Sequence, residues 1–127
     1  DDAPLRRCRR GVACARGDLD GMLSIYPVAV ALLRDLRPAL VRIETSDRDL
    51  ARQMRRAGAS VVLNLAEGSG SFGGTGRERF RNALGSLRET EACLDVAVAL
   101  GYLEEPERHA ATTKLGRVAA ALVKLTR

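Results

Sequence analysis

Residues 76–101 read GRERFRNALGSLRETEACLDVAVALG. Within them Phe80, Leu84, Leu87, Glu91, Leu94 and Val98 follow one another at steps of four and three. That alternation keeps the side chains on one side of an α-helix, which is the seam along which bundle helices pack lengthwise. A strand would need alternation by two. The stretch also has ends. Thr75 offers a hydroxyl to cap the first turn, and Gly101 can leave the helix in a left-handed conformation. A helix is therefore expected over about residues 76–100.

Reading toward the N-terminus, the chain passes a glycine-rich turn at 68–75 (GSGSFGGT) and enters a second stripe at about 47–67. Leu50, Met54, Ala57, Val61 and Asn64 form it, and Val62 and Leu65 widen it. Ser46 suits the N-cap, and Asp47 and Asp49 place negative charge at the positive helix end. Gly58 weakens helix propensity but permits close approach of a neighbouring helix. A third stripe, Ile25, Ala29, Leu32, Leu36, Leu40 and Ile43, predicts a helix over about 22–44. Tyr26, Val30 and Leu33 give that helix a second apolar face, where subunits are expected to meet. Pro27 falls in its first turns, where a missing N–H matters little, whereas Pro38 removes a bond to the Arg34 carbonyl and predicts a kink.

Toward the C-terminus, Pro106 opens a helix over about 106–125 with Leu115, Val118, Leu122 and Leu125 on one side. Residues 1–21 mix Arg, Gly and Asp without a period and are expected to be a flexible extension. The reading is all-α: an antiparallel up-down-up-down four-helix bundle over residues 22–127. Composition agrees. Aromatics are 3% of the chain, so Leu, Val, Ile and Ala must form the core. Proline and glycine do not punctuate the chain at the intervals an all-β fold requires.

The formal net charge is +5, and of 21 basic residues only Lys114 and Lys124 are lysine. Arginine offers a planar fork of donors for phosphate, although an Ala-, Gly- and Arg-rich chain is also what a GC-rich genome writes. The charge is spread along the chain and forms no basic tail. Cys8, Cys14 and Cys93 are odd in number and fit no zinc spacing, which implies a reducing, cytoplasmic setting. No apolar run approaches the ~20 residues of a membrane span, and residues 1–21 lack the apolar middle of a signal peptide.

Several residues could carry chemistry. Gly68, Gly70 and Gly73 spell G-x-G-x-x-G, but a helix precedes them where a dinucleotide site needs a strand. Arg77, Arg79 and Arg81 lie in the first turns of the third helix, where free N–H groups favour an anion; with Arg52 and Arg55 they are the candidate nucleic-acid contacts. A solvated helix end with Glu78 nearby is the plainer reading. Asn64 and Glu91 stand inside apolar stripes, and a buried carboxylate needs a partner. A hairpin turning about residue 72 sets Glu91 near Gln53 and Arg56, Asn64 level with Phe80, and Glu67 level with Arg77. Gln53, Arg56, Asn64, Glu67 and Glu91 are thus expected to form a structural polar latch that fixes register. His109 stands alone, no nucleophile–base pair is evident, and neither catalytic residue, metal nor cofactor is expected.

The run DLARQMRRAGASVVLNLAEGSG resembles the four-helix bundle protein family, also called the 23S ribosomal-RNA intervening-sequence proteins. The family pattern, roughly Q-L-R-R-A-x-x-S-I-x-x-N-I-A-E-G, falls on Gln53, Arg55, Arg56, Ala57, Ser60, Asn64, Ala66, Glu67 and Gly68. The continuation RFRNALGSLRETEACLDVAVALGYL carries Gly85, Ser86, Glu89 and Glu91 in place, and the likeness covers about residues 22–127. Met54 and Val61 stand where Leu and Ile are usual. Pro38 and the IETSDRD link depart from the family's common linker, and residues 1–21 have no counterpart. The resemblance implies a ring-like homopentamer without enzymatic activity. A related branch, the accessory variability determinants of diversity-generating retroelements, implies a basic barrel that binds RNA or DNA and a reverse transcriptase. The expectation is a non-enzymatic accessory protein contacting nucleic acid or a nucleic-acid enzyme. The alternative is a protein–protein scaffold, favoured by the lack of aromatic stacking platforms.

Overall fold

The computed structural model describes residues 16–70 and 74–127, with side chains from Ser24 onward. Five helices make up the described chain: α1 (Arg16–Ser46), α2 (Arg48–Ser69), α3 (Gly74–Ala99), α4 (Glu105–Ala111) and α5 (Leu115–Leu125). The all-α expectation holds. Helix α1 packs on α2, α2 on α3, and α3 on α4 and α5, which both return to α1. Side-chain pairs tie the elements on either side of three joints. Arg55 reaches back to Glu44, Arg79 to Glu67 and Arg108 to Asp95. No helix among the described residues is long and apolar enough to cross a membrane.

The expected stripes form the interior. At one end Ile25, Leu32, Val61, Leu65, Phe80, Leu87 and Leu122 pack together. At the other, Leu36, Ile43, Met54, Cys93, Leu94 and Leu103 do so. Each fully buried side chain of this size contributes about 1.5–3 kcal/mol relative to exposure. The third helix turns slightly differently from its predicted stripe. Ala83, Thr90 and Ala97 are fully buried, while Leu84, Glu91 and Val98 are half-buried. These small residues share the inward side of α3 with Leu87 and Leu94.

The element ends differ from expectation in three places. Helix α1 begins at Arg16, so residues 16–21 of the predicted extension are helical; the rest of that extension lies outside the described residues. As the predicted span requires, α1 runs unbroken through Pro27 and Pro38. Both prolines are exposed, so the carbonyls they leave without a partner can face water, and the buried stripe carries the helix across. The cap of α2 is Asp47, not Ser46. With α1 reaching Ser46, a single extended residue must join the helices, and the Asp47 carboxylate accepts from the Leu50 N–H at 2.9 Å. Helix α3 starts at Gly74, which places Thr75 inside it.

The predicted fourth helix is two helices. Thr112 Oγ1 donates to the carbonyls of Arg108 and His109, offering the backbone a local alternative to the helical ladder. Thr113 and Lys114 both reach Asp35 on α1, which holds the break in place. Glu104 and Glu107 form a reciprocal capping box at the start of α4.

Gly101 ends α3 as the spacing predicts, with φ +80°. Tyr102 N–H donates to the Ala97 carbonyl at 2.8 Å and Gly101 N–H to Val98 at 3.0 Å, a Schellman closure. Gly68 has a different reason. A Cβ there would lie 2.4 Å from Phe80 Cε1, so the Phe80 ring rests directly on the α2 backbone. Gly68→Ala is expected to destabilise by about 1–3 kcal/mol through overpacking. Gly85→Ala, on α3 with nothing within 4 Å of the new methyl, should stabilise by roughly 0.5–1 kcal/mol through helix propensity. Opposite shifts of the urea midpoint in the two variants check the assignment.

Candidate functional site

Several of the polar residues that resembled a family pattern, Gln53, Arg56, Ser60, Asn64, Ser86 and Glu89, lie along the junction of α2 and α3. Asp49, Arg52, Gln53, Arg56 and Ser60 stand beside the buried stripe of α2. Together with Ala57 and with Ser86 and Glu89 of α3, they line an open groove of about 540 Å³. Its floor is hydroxylic. Ser86 Oγ donates to Ser60 Oγ at 2.9 Å, and Asn64 Nδ2 donates to Ser60 Oγ and to the Ser60 carbonyl, each at 2.9 Å. Beneath it Thr90, fully buried, donates to the Ser86 carbonyl at 2.9 Å. On the rim, Gln53 Nε2 donates to Glu89 Oε1 at 3.4 Å. At the far end of the junction Arg79 pairs with Glu67 at 3.2 Å.

The expected latch is redistributed. Gln53, Arg56 and Glu67 are exposed and Asn64 is half-buried. The register also differs: Glu67 meets Arg79, not Arg77, and Gly68, not Asn64, meets Phe80. Glu91 leaves Gln53 and Arg56 because it lies on another side of α3. Glu91 is half-buried on the side facing α4, with Arg108 Nη2 at 3.9 Å. Arg108 is fastened instead to Asp95, by Nε and Nη2 at 2.7 Å each. The inward polar residue of α3 is Thr90, whose hydroxyl is satisfied within its own helix, whereas a carboxylate there would lack a partner.

The five candidate nucleic-acid contacts do not converge. Arg52 is exposed, and Arg55 is bound to Glu44. Arg77 and Arg81 are exposed, and Arg79 is held by Glu67. Arg52 lies roughly 25 Å along α2 from the end that neighbours Arg77. The sequence reading missed the Ser60–Ser86 bridge and buried Thr90. Their signal was the pairing of small residues, Ala57 with Ser60 and Ala83 with Ser86, one on each side of the turn.

Of the glycine pattern, Gly68 is a packing residue and Gly70 a helix cap; Gly73 lies outside the described residues. Among the described residues no group of His, Cys, Asp and Glu is disposed to hold a metal. Cys93 is buried beside the groove, and burial, then the Glu89 carboxylate, push its thiol up from its ordinary 9.0.

The fold and this junction define an all-helical protein whose polar residues bridge packed helices. The chain is matched over residues 23–124 by the model of the family described as 23S rRNA-intervening sequence protein, and it belongs to that family. Comparison with curated proteins and with solved structures returned no match.

Two outcomes follow from this geometry. In a double-mutant cycle, Ser60→Ala and Ser86→Ala should couple by about 0.5–1 kcal/mol, the usual net value of a hydrogen bond; additive losses would mean that the bridge contributes nothing. Because the folded pKa of Cys93 is raised, its stabilising contribution is complete below the unfolded thiol pKa and declines as pH rises through the folded value. Stability should therefore fall more steeply in the alkaline range for the native chain than for Cys93→Ala, measured by urea unfolding at successive pH values.

Proposed function

We propose that this chain is a non-enzymatic, oligomeric accessory protein that contacts nucleic acid or an enzyme acting on it. The observation that carries the reading is the set of unspent arginines. Arg34, Arg37, Arg48 and Arg52 on α1 and α2 are exposed and enter no ion pair among the described residues. Exposed guanidinium groups without carboxylate partners are free to take phosphates. Family membership supports the same reading. By the likeness to retroelement accessory proteins, the partner enzyme is a reverse transcriptase. The buried free thiol suits a reducing, cytoplasmic setting.

The folding unit in this reading is an up-down-up-down four-helix bundle with α4 and α5 sharing the fourth position, and five units close into a ring. Exposed apolar side chains support a subunit contact on α1 and α2. Tyr26 is 43% and Leu63 61% exposed, with Val30 and Val62 half-buried between the same helices. Leu33, expected to join them, turns toward Gly58 instead.

The second reading, a protein–protein scaffold, is favoured by the lack of a stacking platform among the described residues: Phe80 is buried and Tyr26 sits on the apolar face. RNA and DNA titrations at rising salt decide between them. Several phosphate contacts predict a steep loss of affinity, whereas absence of binding at low salt removes the nucleic-acid reading. Light scattering should give a mass several times the 13.7 kDa of one chain, and Leu63→Arg should lower it.

A further inference from the structure

The floor of the α2–α3 groove holds two hydroxyl groups and therefore two protons. One of them makes the Ser60–Ser86 hydrogen bond. Whichever serine donates, the other hydroxyl proton has no protein acceptor among the described residues. Asn64 adds a further donor from below, aimed at Ser60 Oγ. Arg52 and Arg56, one turn apart on α2, line the same groove and are exposed. Neither enters an ion pair, although Asp49 and Glu89 also line it. Glu89 is instead engaged by Gln53. The groove thus presents one unspent hydroxyl proton and two unspent guanidinium forks over a floor that offers little to an incoming donor.

We propose that this groove is a binding site for a small carboxylate ligand, held by Arg56 and Arg52 and by the free serine proton. An arginine fork matches a carboxylate in geometry and charge. The ligand charge follows from the lining. Two arginines face two carboxylates, so the groove is neutral as a whole and suits a monoanion better than a doubly charged phosphate. About 540 Å³ is room for a molecule of amino-acid to dipeptide size. The site shares Arg52 with the arginines of the nucleic-acid reading, whereas Arg56, Ser60 and Ser86 belong to the groove alone.

The test is a titration of the full chain, followed by amide and arginine side-chain NMR, with sodium acetate, sodium glutamate and inorganic phosphate at constant ionic strength. Saturable shifts at Ser60, Ser86 and the Arg56 guanidinium are expected with acetate and glutamate, and weaker binding with phosphate. Arg56→Gln should weaken acetate about tenfold, the usual worth of a charge-assisted hydrogen bond. Glu89→Gln, which removes a competing carboxylate from the rim, should tighten it. Arg56 and Glu89 are exposed, so both variants are expected to keep the native spectrum. Arg117→Gln on α5 should leave binding unchanged. Non-saturating shifts, equal loss in Arg117→Gln, or phosphate binding as tightly as acetate would each overturn the proposal.

Discussion

The closeness of α2 and α3 is the constraint from which the rest of this molecule follows. Two serine hydroxyls can bridge at 2.9 Å only when the helix backbones carrying them are near, because the serine side chain is so short. At the next contact toward the turn no side chain fits at all: Phe80 lies against the bare backbone of Gly68. These contacts fix the register of the hairpin, since sliding by a single turn would drive Phe80 into a side chain and separate the serines. Small residues accompany the large ones on the inward side of α3: Ala83, Thr90 and Ala97 are fully buried beside Leu87 and Leu94.

How much of this the amino-acid order discloses depends on the size of the side chains involved. Leu50, Met54, Val61 and Leu65 announce α2, and Leu87 and Leu94 announce α3, because large apolar residues dominate any periodic reading. Alanine and threonine do not, so the stripe drawn through Leu84, Glu91 and Val98 lies to one side of the true one. The same bias misplaces Glu91. A carboxylate in an apparent stripe suggests a buried partner, but the helix presents Thr90 there and leaves Glu91 half-buried at the α4 side. Register was illegible for a related reason. The turn at 68–75 gives a centre of symmetry only if the helices begin equally far from it, and whether Glu67 meets Arg77 or Arg79 hangs on one glycine contact. Ser60, Asn64 and Ser86 were visible as family positions, yet their mutual bonding needed the register first.

The polar groups divide into two populations. Those that are buried or half-buried are mostly satisfied close to home: Thr90 by the Ser86 carbonyl four residues before it, and Asn64 by Ser60 on its own helix. The charged groups lie at the surface or half-buried, and the exposed pairs contribute at most about 1 kcal/mol each. Stability therefore rests on packing, and the surface charges are free to vary without unfolding the chain. That division leaves the arginines of α1 and α2 open to roles outside the fold.

Asp47 shows how the two ends of the core are coupled. It is the single residue between α1 and α2, and it caps α2 through its side chain. Desolvation, then the Asp47 carboxylate, raise the Tyr102 hydroxyl in the α3–α4 turn above its ordinary 10.0. One carboxylate thus acts at both chain reversals at that end of the molecule. Beyond it, α4 is seven residues long and buries Ala111 alone within the helix, and much of its attachment is by ion pairs, Glu107 to Arg42 and Arg108 to Asp95. A short element held in this way has the least free energy opposing its local opening. It touches α1 and α3 but not the serine bridge between α2 and α3. Motion there can proceed while the junction that sets the register stays closed.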